Sequence, residues 1–266
     1  MITTEADDKI ALHYQPILDF TGRVVGLEAL MRWHHRRRGT ISPEAFIPVF
    51  EQSGLILPLS RWALSEACAE AARWTTKLNV AVNLSPIQFQ YDDIPALVRQ
   101  ALGQTGLAPE RLELEITEAA INADPLGALS TLLQLEHMGV HLVLDDFGIG
   151  DSKPTLLNDY PFSKVKIDTS FIAKLEISAS ARRILKMIIE HAHSLDRIVV
   201  AEGVETDAQV ALLADARCDL MQGFLSGRPA AIESFAALTG ASEMGSASAA
   251  VLADWQMSFE QSGGLH

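Results

Sequence analysis

Six apolar runs in this chain end in a polar residue that could bind a cation or handle a proton. Val80–Val82 leads into Asn83, Leu112–Leu114 into Glu115, and Leu142–Leu144 into Asp145 and Asp146. Val165 leads into Lys166 and Asp168, Ile198–Ala201 into Glu202, and Leu220–Met221 into Gln222. One such case is ordinary strand-end solvation or helix capping, but an apolar strand has no structural reason to finish this way repeatedly. Glu28 belongs with them although it lies inside the run Val24–Leu30. Burying it there is costly unless it is paired or bound to a cation, and an ion pair to Arg32 is the structural alternative.

The set Glu28, Asn83, Glu115, Asp145 and Asp146 offers oxygen donors and contains no His or Cys. Such sites suit hard cations, Mg²⁺ or Mn²⁺, rather than zinc. Two adjacent aspartates suggest two ions sharing a bridging carboxylate, an arrangement that clamps both oxygens of a phosphodiester displacement. Lys166 could orient an attacking water or stabilise phosphoryl charge, or simply balance the acids when no metal is bound. Arg32 can grip a phosphate with two parallel donors. His34–Arg38 reads as a solvated loop, with steering of an anionic substrate as the alternative. Asp145–Gly150 is glycine-rich but has no GK[ST], so it is not a phosphate-binding P-loop.

Residues spread so far along the chain can meet only if the elements between them converge. Short β-branched runs alternate with helical periodicity, which predicts a parallel sheet. The strands are expected at His13–Ile17, Val24–Met31, Val80–Leu84, Leu112–Ile116, Leu142–Asp146, Lys164–Ile167, Ile198–Glu202 and Leu220–Phe224. Helices are expected at Pro43–Gln52, Arg61–Lys77, Ile94–Gly103, Pro125–Met138, Ala179–His193 and Asp207–Ala214. Ser42, Asp124 and Thr206 are the expected N-caps, and Gly139 the stop after Met138. Eight strands in one chain suggest a closed (β/α)8 TIM-type barrel, an α/β fold that keeps its chemistry at the carboxyl-terminal mouth. The first two strands are close together, so an irregularity is expected there. Residues 1–239 read as one barrel and 240–266, rich in Gly, Ser and Ala, as a linker with a loosely attached tail.

The bulk composition is compatible with this. With 266 residues and 48% hydrophobic content, the chain can build one large core. A net charge of −13 argues against a nucleic acid polymer as partner, because that needs surplus Lys and Arg. Two distant cysteines, Cys68 and Cys218, make neither a disulfide framework nor a thiolate site. No signal peptide is evident and no apolar run reaches the ~18 residues of a membrane span, so the expected location is cytoplasmic.

The motifs resemble those of the EAL-domain phosphodiesterases of bacterial cyclic di-GMP signalling. Glu28-Ala29-Leu30, followed by Met31-Arg32-Trp33, looks like the family's namesake. Tyr14-Gln15-Pro16, Asn83-Leu84-Ser85, Glu115-Ile116-Thr117-Glu118, Asp145-Asp146-Phe147-Gly148, Lys164–Asp168, Ala201–Glu205 and Gln222-Gly223-Phe224 stand in family order. The similarity covers about residues 10–232. It implies a barrel with one strand antiparallel to the rest and hydrolysis of cyclic di-GMP to linear pGpG.

Carried over by motif, Glu28, Asn83, Glu115, Asp145, Asp146 and Glu202 are metal ligands for Mg²⁺ or Mn²⁺, two ions in all. Glu28, Lys166 and Glu202 form the catalytic set, with Lys166 holding the nucleophilic water. Gln15, Leu30, Arg32 and Gln222 place the substrate. Glu118 and Ser152 brace the loop after Asp146. A homodimer and an N-terminal sensor or cyclase-like domain are the implied partners. That loop departs from the family's usual Thr/Ala-Gly-Tyr-Ser-Ser-Leu: here it is Ile149-Gly150-Asp151-Ser152-Lys153-Pro154, stiffer and more charged. The alternative reading is therefore a catalytically impaired EAL domain that serves as a cyclic di-GMP receptor.

Overall fold

A computed structural model describes residues 2–4, 8–148 and 155–240. Eight strands close a barrel: β1 (Asp8–Asp19), β2 (Val24–His35), β3 (Asn79–Asn83), β4 (Leu112–Thr117), β5 (His141–Phe147), β6 (Lys164–Ile167), β7 (Ile198–Ala201) and β8 (Leu220–Met221). β2 to β8 pair in parallel, each with the next in sequence. β1 runs against both of its neighbours, pairing β2 on one side and β8 on the other, and so closes the ring. The tight Asp19–Arg23 turn leaves no room for a crossover helix, which forces the antiparallel pairing at this one place. All eight expected strands and the irregular start are present.

The strands look almost uniformly apolar because both faces are buried. Their alternation separates two layers. Leu112, Leu114 and Ile116 of β4, Val165 and Ile167 of β6 and Val199 and Ala201 of β7 point outward into the main core against the helices. Ile17, Ala81, Val200 and Leu220 form a separate plug inside the barrel. Below the plug, Lys164 pairs with Glu113, which also accepts from Asn79. Two residues up each strand, Glu115 and Lys166 sit at the other end, the carboxyl-terminal mouth.

Six main helices cover the barrel: α1 (Pro43–Ser53), α2 (Ile56–Ala72), α3 (Ile94–Thr105), α4 (Pro125–His137), α5 (Ala179–Ser194) and α6 (Asp207–Asp215). Asp124 caps α4 by accepting from Gly127, and Thr206 and Gln209 form a reciprocal capping box on α6. Gly139, at φ 87°, turns the chain after Met138. Ser42 stands at the N-cap of α1 with Pro43 at N1, as expected, but its hydroxyl makes no cap hydrogen bond and instead bonds the Glu44 carboxylate.

α2 is also shifted from its expected span. It starts at Ile56 because Pro58, falling in the first turn, costs no hydrogen bond there. Arg73 and Trp74 N–H close its last turn on Glu70 O and Ala71 O, and beyond them Thr75 N–H donates to Thr239 O and Thr76 Oγ1 to Leu238 O, which draws the chain away. Ser152 and the tail beyond Gly240 lie outside the described residues. Among the described residues no helix is long and apolar enough to cross a membrane.

Candidate active site at the barrel mouth

The mouth opens into a cavity of about 650 Å³ lined by Gln15, Glu28, Leu30, Arg32, Asn83, Asp145, Asp146, Glu202 and Gln222, among others. That size suits a nucleotide-scale ligand. At its floor lies Lys166, fully buried. Its Nζ stands 2.7 Å from Glu202 Oε1, 2.9 Å from Glu115 Oε1, 3.2 Å from Glu28 Oε2 and 3.8 Å from Asp145 Oδ1. Glu28 thus pairs with Lys166 and not with Arg32, whose Nη1 donates to Met31 O.

Glu28 is held on every side. Asn83 Nδ2 donates to its Oε1 at 2.8 Å and Gln222 Nε2 to its Oε2 at 2.6 Å. Gln222 also donates to Gln15 Oε1, and Gln15 Nε2 to Gly227 O, so the two substrate-placing amides are one chain of bonds with Glu28. Burial pushes the Glu28 carboxyl up, but the Lys166 ammonium and these donors outweigh it and hold it below the usual carboxylate range. Glu115 goes the other way: burial and the Glu28 charge push it well up, beyond what Lys166 recovers. Lys166 itself stays charged, because Asp145, Glu115, Glu202 and Glu28 together overcome the cost of burying it.

Two consecutive aspartates would normally face opposite sides of a strand. Here the β5–β6 register slips between Leu144 and Phe147, and Asp146 takes φ 58° in the left-handed region. This bulge brings both side chains to the cavity, and Asp146 N–H donates to Asp145 Oδ1 at 2.9 Å. Burial and the charges of Asp145 and Asp168 raise Asp146 to about 6, and burial with Asp145 and Glu28 raises Glu202 to about 8.

The donor set fits a hard divalent cation. Asp145, Asp146 and Glu202 each offer an oxygen, all within 4.8 Å of one another. Among the described residues Glu115 Oε2 is buried with no hydrogen-bond partner of ordinary geometry, and the Glu115 carboxyl lies against Glu28, which it helps to hold low. One ammonium cannot neutralise Glu28, Glu115, Asp145, Asp146 and Glu202, and the raised carboxyls record the surplus negative charge.

Sequence reasoning gave no specific role to several residues at this site. Asp168 acts on Asp146 through its charge while capping the following turn at Ser170 N. Glu51, from α1, accepts from Ser85 Oγ at 2.6 Å and pins the turn after Asn83. Ser85 and Asp168 were visible as strand-end polar residues, whereas Glu51 carried no signal because it sits in a helix far upstream. Glu118 opens the short helix Glu118–Ala123 just beyond β4, half-buried.

The EAL domain family model matches residues 3–229. A signalling protein of Caulobacter vibrioides is 45% identical over 241 residues, 90% of this chain and 30% of its own length. The bifunctional diguanylate cyclase/cyclic di-GMP phosphodiesterase MucR of Pseudomonas aeruginosa is 41% identical over 226 residues, 83% of this chain and 33% of that protein. This chain therefore spans about a third of the curated relatives it matches. Among solved structures, the PaMucR phosphodiesterase in complex with c-di-GMP superposes with a TM-score of 0.81 at 40% identity, covering 84% of this chain and 93% of that one. Klebsiella pneumoniae BlrP1, solved as a manganese/cyclic di-GMP complex, gives 0.74 at 28% identity, covering 83% and 56%. With a family match over nearly its whole barrel and relatives this similar, the chain belongs to the EAL domain family of cyclic di-GMP signalling.

Proposed function

We propose that this domain is a divalent-metal-dependent phosphodiesterase that hydrolyses cyclic di-GMP to linear pGpG. The observation that carries this reading is the gathering of five carboxyl groups, Glu28, Glu115, Asp145, Asp146 and Glu202, about one buried ammonium, Lys166. Without a cation the site relieves this crowding by holding protons, as the raised Glu115, Asp146 and Glu202 carboxyls show, and a divalent metal would take their place.

Glu28, Asn83, Glu115, Asp145, Asp146 and Glu202 would hold Mg²⁺ or Mn²⁺, two ions in all. When bound, the ions supply Lewis acidity toward the phosphodiester and lower the pKa of water. Lys166 would hold and orient the attacking water from the floor, its charge fixed by Glu202 and Glu115. Gln222 and Gln15 keep Glu28 in place and present amide groups to the ligand, while Arg32 and Leu30 on the rim meet a phosphate and a base. Water adds to phosphorus, the P–O3′ bond breaks, and the 3′-oxygen leaves as an alcohol after taking a proton. Glu118 and Ser152 would brace the loop after Asp146. We also propose a homodimer formed near that loop, a cytoplasmic location, and a sensor or cyclase-like neighbour in a longer protein. MucR, described as a cyclase and phosphodiesterase in one chain, supports the last of these.

Glu28→Ala tests the assignment. Hydrolysis should fall to background while the fold persists. Binding without turnover in both wild type and variant would instead identify a receptor.

A further inference from the structure

Beyond the barrel rim, β1 and β2 continue as an arm. In antiparallel pairing, opposed residues share a face. Gln15 opposes Glu28, His13 opposes Leu30, Ala11 opposes Arg32 and Lys9 opposes His34. The face that carries Glu28 and Gln15 into the mouth therefore carries Arg32, His13, His34 and Lys9 outward from it. The His13 and His34 rings, 5.7 Å apart, meet on that face. The arm's outer half, residues 8–14 and 30–41, holds Lys9, Arg32, Arg36, Arg37 and Arg38, which outnumber the three carboxylates of residues 1–14, Glu5, Asp7 and Asp8, in a chain of net charge −13. Lys9, Arg37 and Arg38 are exposed.

We propose that this face is an approach track for the phosphates of an anionic dinucleotide, which captures the ligand outside the barrel and delivers it to the mouth. The proposal rests on the phosphodiesterase reading and assigns that site its entry route. The argument is one of range. Six residues separate Glu28 from His34, about 20 Å of strand at ~3.4 Å per residue. Exposed charges are screened within ~8 Å at physiological salt, so a single rim cation such as Arg32 attracts only what is already at the mouth. Cations spaced along the arm relay the attraction over its full length. Two carboxylates beside it are engaged: Glu44 accepts from Ser42 and faces Arg32, and Glu233 faces His13.

The test is the association rate of a fluorescent cyclic di-GMP analogue, followed by stopped flow with Mg²⁺ from about 0.01 M to about 1 M salt. In the variant K9Q/R37Q/R38Q the on-rate should drop roughly tenfold at low salt and converge with wild type at high salt, the off-rate being unchanged. Charge reversal in R37E/R38E should slow association further, a direction that loss of packing would not produce. Equal on-rates and salt slopes in all three proteins would overturn the track, as would a change confined to the off-rate. Absence of saturable binding even to wild type would remove the phosphodiesterase reading and the track with it.

Discussion

The ammonium of Lys166 stands 2.7 Å from Glu202 Oε1 at the floor of the mouth, a contact buried from solvent and shared with three other carboxylates. Its charge fixes which acids can remain ionised before a metal arrives. Lys166→Met should leave those acids uncompensated and cost on the order of 3–5 kcal/mol, the range for breaking a buried ion pair. Mn²⁺ should restore part of the loss, since a cation replaces the missing charge, but not hydrolysis. Thermal unfolding with and without Mn²⁺ measures both. An unchanged Tm in the metal-free variant would show that Lys166 is not the counter-charge.

The raised carboxyls give the metal-free protein a pH dependence of definite sign. Asp146 titrates at about 6 and Glu202 at about 8 in the folded chain, both above their unfolded values. The folded state therefore binds more protons than the unfolded state across this window, and stability falls as pH rises from about 4.5 to 8. Metal binding must displace those protons, so affinity for Mn²⁺ should rise over the same interval. Denaturant titrations in EDTA at several pH values, beside calorimetric Mn²⁺ titrations, should show the two trends running in opposite directions. Metal-free stability that increased through this range would contradict the charge balance drawn for the site.

Asp146 combines a left-handed backbone with a carboxylate among carboxylates. Both features cost free energy that a glycine would not incur. Asp146→Gly should leave the metal-free domain as stable as wild type or more so, by up to about 1 kcal/mol, while lowering Mn²⁺ affinity and turnover severely. The informative comparison is Tm against metal affinity in the same variant. Loss of both together would mean that the aspartate stabilises the bulge.

Gly223 offers a test independent of the metal. A Cβ there would overlap the backbone N and O of Val204, next to the turn that positions Gln222. Gly223→Ala should destabilise the domain by about 2 kcal/mol or more, because backbone has to move. It should also raise KM through a displaced Gln222. Chemical denaturation together with steady-state kinetics would detect it, and wild-type behaviour in both would refute the packing argument.

Much of this was legible in the sequence, for physical reasons that differ by element. Strands β3 to β7 were readable because their two buried faces make short apolar runs, and the mouth residues because each breaks its run at the carboxyl end. Where reading fell short, a residue's partners lay far along the chain. β1 and β2 extend to Asp8 and His35 because Lys9, Arg32 and His34 belong to an arm outside the barrel, where polar side chains no longer signal a strand's end. Ser42 takes the cap position of α1, but Glu44 competes for its hydroxyl. Glu113 and Lys164 carried no role of their own in the sequence, and only barrel closure shows them as a buried pair below the apolar plug. The bulge at Asp146 has no sequence signature beyond the doubled aspartate.

The most direct measurement is turnover of cyclic di-GMP by the purified domain with Mg²⁺, Mn²⁺ or EDTA, the product resolved by chromatography. The expected result is linear pGpG formed with either metal and none in EDTA, the surplus carboxylates at the mouth having taken up their cations. Tight binding of cyclic di-GMP with no product under any of these metals would contradict the enzymatic account and reassign the domain as a receptor.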